Sequence, residues 1–218
     1  YLLTITTLML SIGRWADMVG KKRIYIGGFI IFTLGSLACG ISTNVIMLIT
    51  FRVIQAIGAA MMMALGMAIV TENFPPREWG KALGITGLIV SIGIIAGPTM
   101  GGLILGSFSW HWIFFVNLPV GIAGIVMVIK FVPDVIPGIH QKFDFPGAIS
   151  LFISLICLLL ALTVGEVSGF LSLPVFLLAA VFILFMVVFI RVEMKSPQPM
   201  IDLGFFRNSL FSTNLVTG

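Results

Sequence analysis

Charge is what this sequence lacks. Lys, Arg, Asp and Glu make up 9% of its 218 residues, against roughly 25% in a typical soluble domain. The shortfall excludes a soluble globular fold, because too little polar sequence remains to cover a surface. Cysteine is scarce too: Cys39 and Cys157 stand far apart, each within an apolar run. Without ligand spacing they supply neither a disulfide framework nor a metal site, and they read as small packing residues. His111 and His140 fall in gaps between apolar runs, and so does every carboxylate. An intramembrane enzyme needs nucleophiles, acids or metal ligands converging at membrane depth, and the sequence offers none. A channel would want a re-entrant segment or rings of like residues, and no short re-entrant run stands out. No metal or organic cofactor is expected.

What the chain has instead is hydrophobicity, 59% of its residues, gathered in runs of about twenty, the span of a bilayer core. The apolar segments are 1–12, 24–41, 45–70, 82–106, 113–131, 146–164, 171–190 and 210–218. Continuous apolar runs with no polar period read as membrane helices, and the short turns between them make successive helices antiparallel. The first segment is too short to span alone and the last has barely begun when the sequence stops. The chain therefore reads as a piece of a longer protein, cut within a helix at both ends.

The charges then sort themselves. All of the Lys and Arg residues except Arg52 lie in or beside every second gap. Arg14, Lys21, Lys22 and Arg23 mark the first, Arg77 and Lys81 the third. Lys130 and Lys142 mark the fifth, and Arg191, Lys195 and Arg207 the seventh. The second gap, Ser42-Thr43-Asn44, has no charge; the fourth has only His111 and the sixth only Glu166. Basic residues favour the cytoplasmic side, so the odd gaps are expected to be cytoplasmic. The net charge of +4 is the product of that bias, with no nucleic-acid partner implied. Trp110 and Trp112 flank an outer gap and Trp15 and Trp79 lie in inner ones, where indole rings suit the headgroup layer.

Three stretches stand out. Arg52 sits about two turns into its helix, where a charge costs at least about 2.5 kcal/mol on insertion scales. Gln55, three positions on, shares its face. Two readings are open: a guanidinium facing a bundle interior or water-filled cavity, or one snorkelling to the outer interface. In the first gap, Gly13 and Gly20 allow a tight turn, and Asp17 stands among the basic residues Arg14, Lys21, Lys22 and Arg23. That gap reads equally as a plain basic turn. In segment 82–106, Gly93, Gly97 and Gly101 recur every four residues and form a smooth stripe for close helix packing. Gly102 follows, and Pro98 should kink the helix. The same stripe could be a moving seam.

Together these stretches resemble the major facilitator superfamily. Gly13, Ala16, Asp17, Gly20, Lys21 and Lys22 match its loop signature G-x-L-A-D-R-x-G-R-K, with Trp15 and Met18 departing from it. Arg52, Gln55 and Gly58 match R-x-x-Q-G, with Ala56 departing. Gly93, Gly97, Pro98, Gly101 and Gly102 match the antiporter signature G-x-x-x-G-P-x-x-G-G. The stretch from Ser109 to Gly121, including Asn117 and Pro119, is similar to the W-R-W-I-F-x-I-N-x-P-x-G signature of the branch with fourteen spanning helices, with His111 in the usual Arg position.

The resemblance implies an all-α integral membrane bundle in the bacterial cytoplasmic membrane, exporting drugs or amphipathic cations in exchange for protons. An exporter of a metabolite, siderophore or amino acid is the alternative; a non-transporting subunit or a channel is a remoter one. Residues 1–131 would be a partial N-terminal bundle, lacking the first helix and with the second truncated. Residues 132–190 would be a cytoplasmic loop and two linker helices, and 191–218 a loop and the start of the C-terminal bundle. Arg52 and Gln55 would line the central cavity. Gly13, Asp17, Gly20, Lys21 and Lys22 would latch the two halves, which would rock along Gly93, Gly97, Pro98, Gly101 and Gly102. The coupling carboxylates would lie outside this sequence. The partners implied are the lipid bilayer, a small-molecule substrate and, in a Gram-negative cell, membrane-fusion and outer-membrane proteins.

Overall fold

The computed structural model describes residues 1–135 and 144–195. Segment 210–218 and the charges Lys142 and Arg207 lie outside them. Internal contacts divide the chain into two units, Tyr1–Ile139 and His140–Gly218.

The first unit begins with a hairpin. Helix α1 (Leu2–Val19) passes to α2 (Lys21–Gly40) through the single residue Gly20. Gly20 has φ 111°, a conformation L side chains rarely adopt, and its N–H still donates to Ala16 O at 2.9 Å. The tight turn expected within the first gap is made by Gly20 alone. Gly13 and Asp17 are helical, because backbone hydrogen bonding continues past the point where the side chains turn polar. Asn44 caps α3 (Val45–Asn73), its Oδ1 accepting from Met47 N–H at 2.8 Å. Phe74 and Pro75 adopt extended backbone, and a turn at Pro76–Glu78 leads into α4 (Trp79–Ser107). The expected segment 113–131 is two helices, α5 (Trp112–Phe115) and α6 (Asn117–Phe131). Pro119 has no N–H to donate to the carbonyl of Phe115, which accounts for the break there.

Glycine brings α2 and α3 into near backbone contact. A Cβ on Gly28 would lie 3.1 Å from Gly58 O, and one on Gly35 would lie 2.7 Å from the Cα of Gln55. Helix α1 closes the other side of α3, where Ile5, Ile12 and Ala16 pack with Ala56, Ala59, Ala60, Leu65 and Ile69. Small residues at such seams let dispersion act over the whole helix length, which is what drives association in lipid. Helix α6 covers α2 in the same manner, with Gly121 against Thr33 and Gly124 against Phe29.

Helix α4 breaks this pattern. None of its residues is buried, and a Cβ on Gly93, Gly97, Gly101 or Gly102 would meet nothing within 4 Å. The close packing expected of that stripe does not occur among the described residues. The periodicity makes the surface smooth, but no helix of this unit is placed to cover it. Helix α4 runs on through Pro98 without interruption.

The second unit is a helical hairpin. Asp144 Oδ1 accepts from Gly147 N–H at 2.9 Å and starts α7 (Phe145–Ser168). Gly169, at φ 83°, turns the chain toward α8 (Leu173–Lys195). Ser154 Oγ donates across the hairpin to Phe182 O at 3.4 Å. Among the described residues, seven helical stretches are long and apolar enough to cross a membrane. Asp17, Glu72, Glu166 and Glu193, expected in gaps, all lie within helices. The helices overrun their hydrophobic stretches, since hydropathy records the bilayer while helix ends follow caps and prolines.

Candidate functional site

The basic end of the first unit is tied by three charged residues in a row. Lys21 Nζ pairs with Asp17 across the Gly20 turn at 3.2 Å and with Glu72 in the last turn of α3. Lys22 Nζ donates to Ile129 O at 3.0 Å, in the last turn of α6, a position where a cation also meets the negative end of the helix dipole. Arg23 approaches Asp134 at 3.5 Å. A cavity of about 400 Å³ lies beside them, lined by Ala16, Asp17, Lys21, Lys22, Glu72 and Asn73 among others. The contacts of Asp17, Lys21 and Lys22 therefore join α1, α2, α3 and α6 of one unit. Gly13 lies on α1 with open space at its Cβ position, and Gly20 makes the turn.

At the opposite end, the His111 ring meets Ser42 O at 3.3 Å. A carbonyl can only accept, so Nε2 carries the proton in this contact. Trp110 stacks on the ring at 3.8 Å. The first, third and fifth gaps thus meet at one end of the unit and the second and fourth at the other, as the alternation of charge required.

Between the two ends lies Arg52. Its Nη1 donates to Gln55 Oε1 at 3.0 Å. Gln55 is three residues further from the nearer end of α3, so the contact draws the head group inward and not toward the closer interface, against a snorkelling arrangement. The guanidinium also lies 4.3 Å from the centroid of the Tyr1 ring and 5.4 Å from that of Phe114, distances at which ring quadrupoles stabilise a cation. Lys21 and Arg23 form ion pairs with described carboxylates, and Arg52 forms none with a described residue.

The amide of Gln55 continues inward. Its Nε2 donates to Ser36 Oγ on α2, and Asn117 Nδ2 of α6 donates to the same oxygen at 3.2 Å. Ser36 and Gln55 are buried. The sequence had singled out Arg52 and Gln55, and the structure brings them together. Ser36 and Glu72 escaped notice: one is a short polar residue in an apolar run, the other a charge in a gap, and neither reveals its partner without the pairing of α2 with α3. Gly93, Gly97, Pro98, Gly101 and Gly102 stay on α4, apart from both clusters.

The model of the Major Facilitator Superfamily matches residues 1–213. The riboflavin transporter RibZ of Clostridioides difficile is 41% identical over 219 residues, a match covering 100% of this chain and 47% of that protein. Multidrug resistance protein 3 of Bacillus subtilis is 35% identical, covering 98% of this chain and 42% of its own length. The multidrug transporter protein MdtP of the same organism is 34% identical, with coverages of 97% and 39%. The chain spans about half the length, or somewhat less, of these relatives.

Proposed function

The chain belongs to the major facilitator superfamily, and we propose that the protein of which it forms part exports amphipathic or cationic small molecules across the bacterial cytoplasmic membrane in exchange for protons. The observation that carries this reading is Arg52, a guanidinium within a spanning helix that is hydrogen-bonded to Gln55 and lacks an ion pair among the described residues. A charge at that depth is favourable only where it faces a polar cavity or a partner. In alternating access Arg52 faces the central cavity, with Gln55 buried behind it as its hydrogen-bond partner, and biases a neighbouring proton site. Similarity to a multidrug resistance protein and a multidrug transporter supports the substrate class.

Asp17, Lys21 and Lys22, with the Gly20 turn, then hold the cytoplasmic ends of the first unit together and present that end as one body to the other half. Gly93, Gly97, Pro98, Gly101 and Gly102 form the seam on which the halves rock; the open face of α4 supports this role.

A second reading, transport of a metabolite, is favoured by the 41% identity to a riboflavin transporter and by the aromatic rings beside Arg52, which suit a planar heteroaromatic. The test uses the full-length protein in inside-out vesicles with an acidified lumen. Accumulation of a fluorescent cationic dye, abolished by a protonophore and by Arg52→Ala in protein of normal folding, is expected. Accumulation of riboflavin without the dye selects the second reading. Uptake indifferent to the proton gradient overturns the exchange mechanism, and gradient-driven uptake by Arg52→Ala overturns the role of Arg52.

A further inference from the structure

We propose that Ser36 is a positioning residue for Arg52, acting through the amide of Gln55. The proposal rests on the reading of Arg52 as a cavity residue, but its geometry can be tested apart from transport. A guanidinium has five N–H donors and no acceptor. Gln55 can therefore serve Arg52 only with its oxygen turned toward it, yet the two ends of a primary amide are nearly the same size. The flipped orientation would set NH₂ against the cation, so the nitrogen end of the amide needs an acceptor of its own to hold it on the far side. Ser36 supplies that acceptor. Its Oγ accepts from Gln55 Nε2, and in this buried seam an amide nitrogen without an acceptor is costly.

Asn117 reinforces the arrangement. By donating Nδ2 to Ser36 Oγ at 3.2 Å, it occupies the second acceptor position of the hydroxyl oxygen and ties α6 to the same point. The packing makes a side chain as short as serine sufficient. Gly35 lets α2 approach until a Cβ there would lie 2.7 Å from the Cα of Gln55, and the neighbouring Ser36 then reaches the amide. Ser36 is 0% exposed and Gln55 1%, so water cannot replace the hydroxyl from the bilayer side. Three helices thereby set the direction of one guanidinium.

A carboxylate has two equivalent oxygens, and this supplies the test. Ser36→Ala, Gln55→Glu and the double variant are made in the full-length protein, with thermal unfolding confirming the fold of each. Arg52 is read by the rate of phenylglyoxal modification, resolved to this arginine by mass spectrometry, alongside gradient-driven transport. Ser36→Ala is expected to speed modification of Arg52 and slow transport by about tenfold each, the factor that one buried hydrogen bond corresponds to. In the Gln55→Glu background the same change should alter modification by less than about twofold, because a flipped carboxylate still accepts from Arg52. Equal effects of Ser36→Ala in both backgrounds make Ser36 mere packing and overturn the proposal, as does an unchanged Arg52 rate in Ser36→Ala. Gradient-driven transport by Arg52→Ala removes the cavity reading instead, and the modification rates still decide the role of Ser36.

Discussion

Lys21, the first residue of α2, forms an ion pair with Glu72, which lies 51 positions further along the sequence near the end of α3. The same ammonium reaches Asp17 at 3.2 Å. One cation therefore stands between two carboxylates at the junction of three helices. The acidic side chains are about half exposed, 46% for Asp17 and 51% for Glu72.

Pairs that exposed contribute little stability, about 0.2–1 kcal/mol. Glu72→Gln should lower the unfolding free energy of the full-length protein by less than about 1 kcal/mol. Lys21→Glu should cost more than that, because it gathers three acidic side chains at one point. Exchanging the pair, Lys21→Glu with Glu72→Lys, should recover part of the loss. Thermal unfolding of the four proteins in one detergent measures all of this; a swap no better than Lys21→Glu alone would show that Asp17 and not Glu72 is the principal partner.

Two glycine-to-alanine changes should separate packing within the first unit from packing against the rest of the protein. Gly58 has no room: a Cβ there meets the backbone of Phe32 and Gly28. Overpacking of this kind costs about 1–3 kcal/mol, so Gly58→Ala should reduce both stability and transport. Gly93 has open space around it. Gly93→Ala should leave the α1–α2–α3 core untouched and add up to about 1 kcal/mol of helix propensity. If Gly93→Ala abolishes transport while the thermal midpoint holds, the seam assigned to α4 is supported. Full transport by Gly93→Ala protein argues against it.

The orientation can be read by single-cysteine labelling. Thr43 and Arg77 are both exposed, on turns at opposite ends of the first unit. In a background without Cys39 and Cys157, a membrane-impermeant maleimide should label Thr43→Cys in intact cells and Arg77→Cys only after the cells are opened. The reverse pattern would invert the topology read from Lys and Arg.

Much of the fold was legible along the chain. Each membrane span has to satisfy its own backbone hydrogen bonds as a helix, so hydropathy located the helices, and the charge alternation foretold which turns would meet. The Arg52–Gln55 pairing was legible too, because residues three apart share a face of any α-helix. Helix ends were less so. Gly13, Asp17 and Glu72 looked like loop residues on hydropathy, yet the backbone ladder runs through them until Gly20 or the extended backbone before Pro76 stops it.

What the sequence by itself determined, then, is a set of apolar helices, their alternating order and one charge at membrane depth. Tertiary structure decided the partners. Ser36 meets Gln55, and Lys21 meets Glu72, only because Gly28, Gly35 and Gly58 let α2 lie against α3 along its length. The stripe of Gly93, Gly97 and Gly101 shows the other side of that division. Its period is local and readable, whereas what covers it depends on which surfaces approach, and that is settled by packing over long separations in sequence.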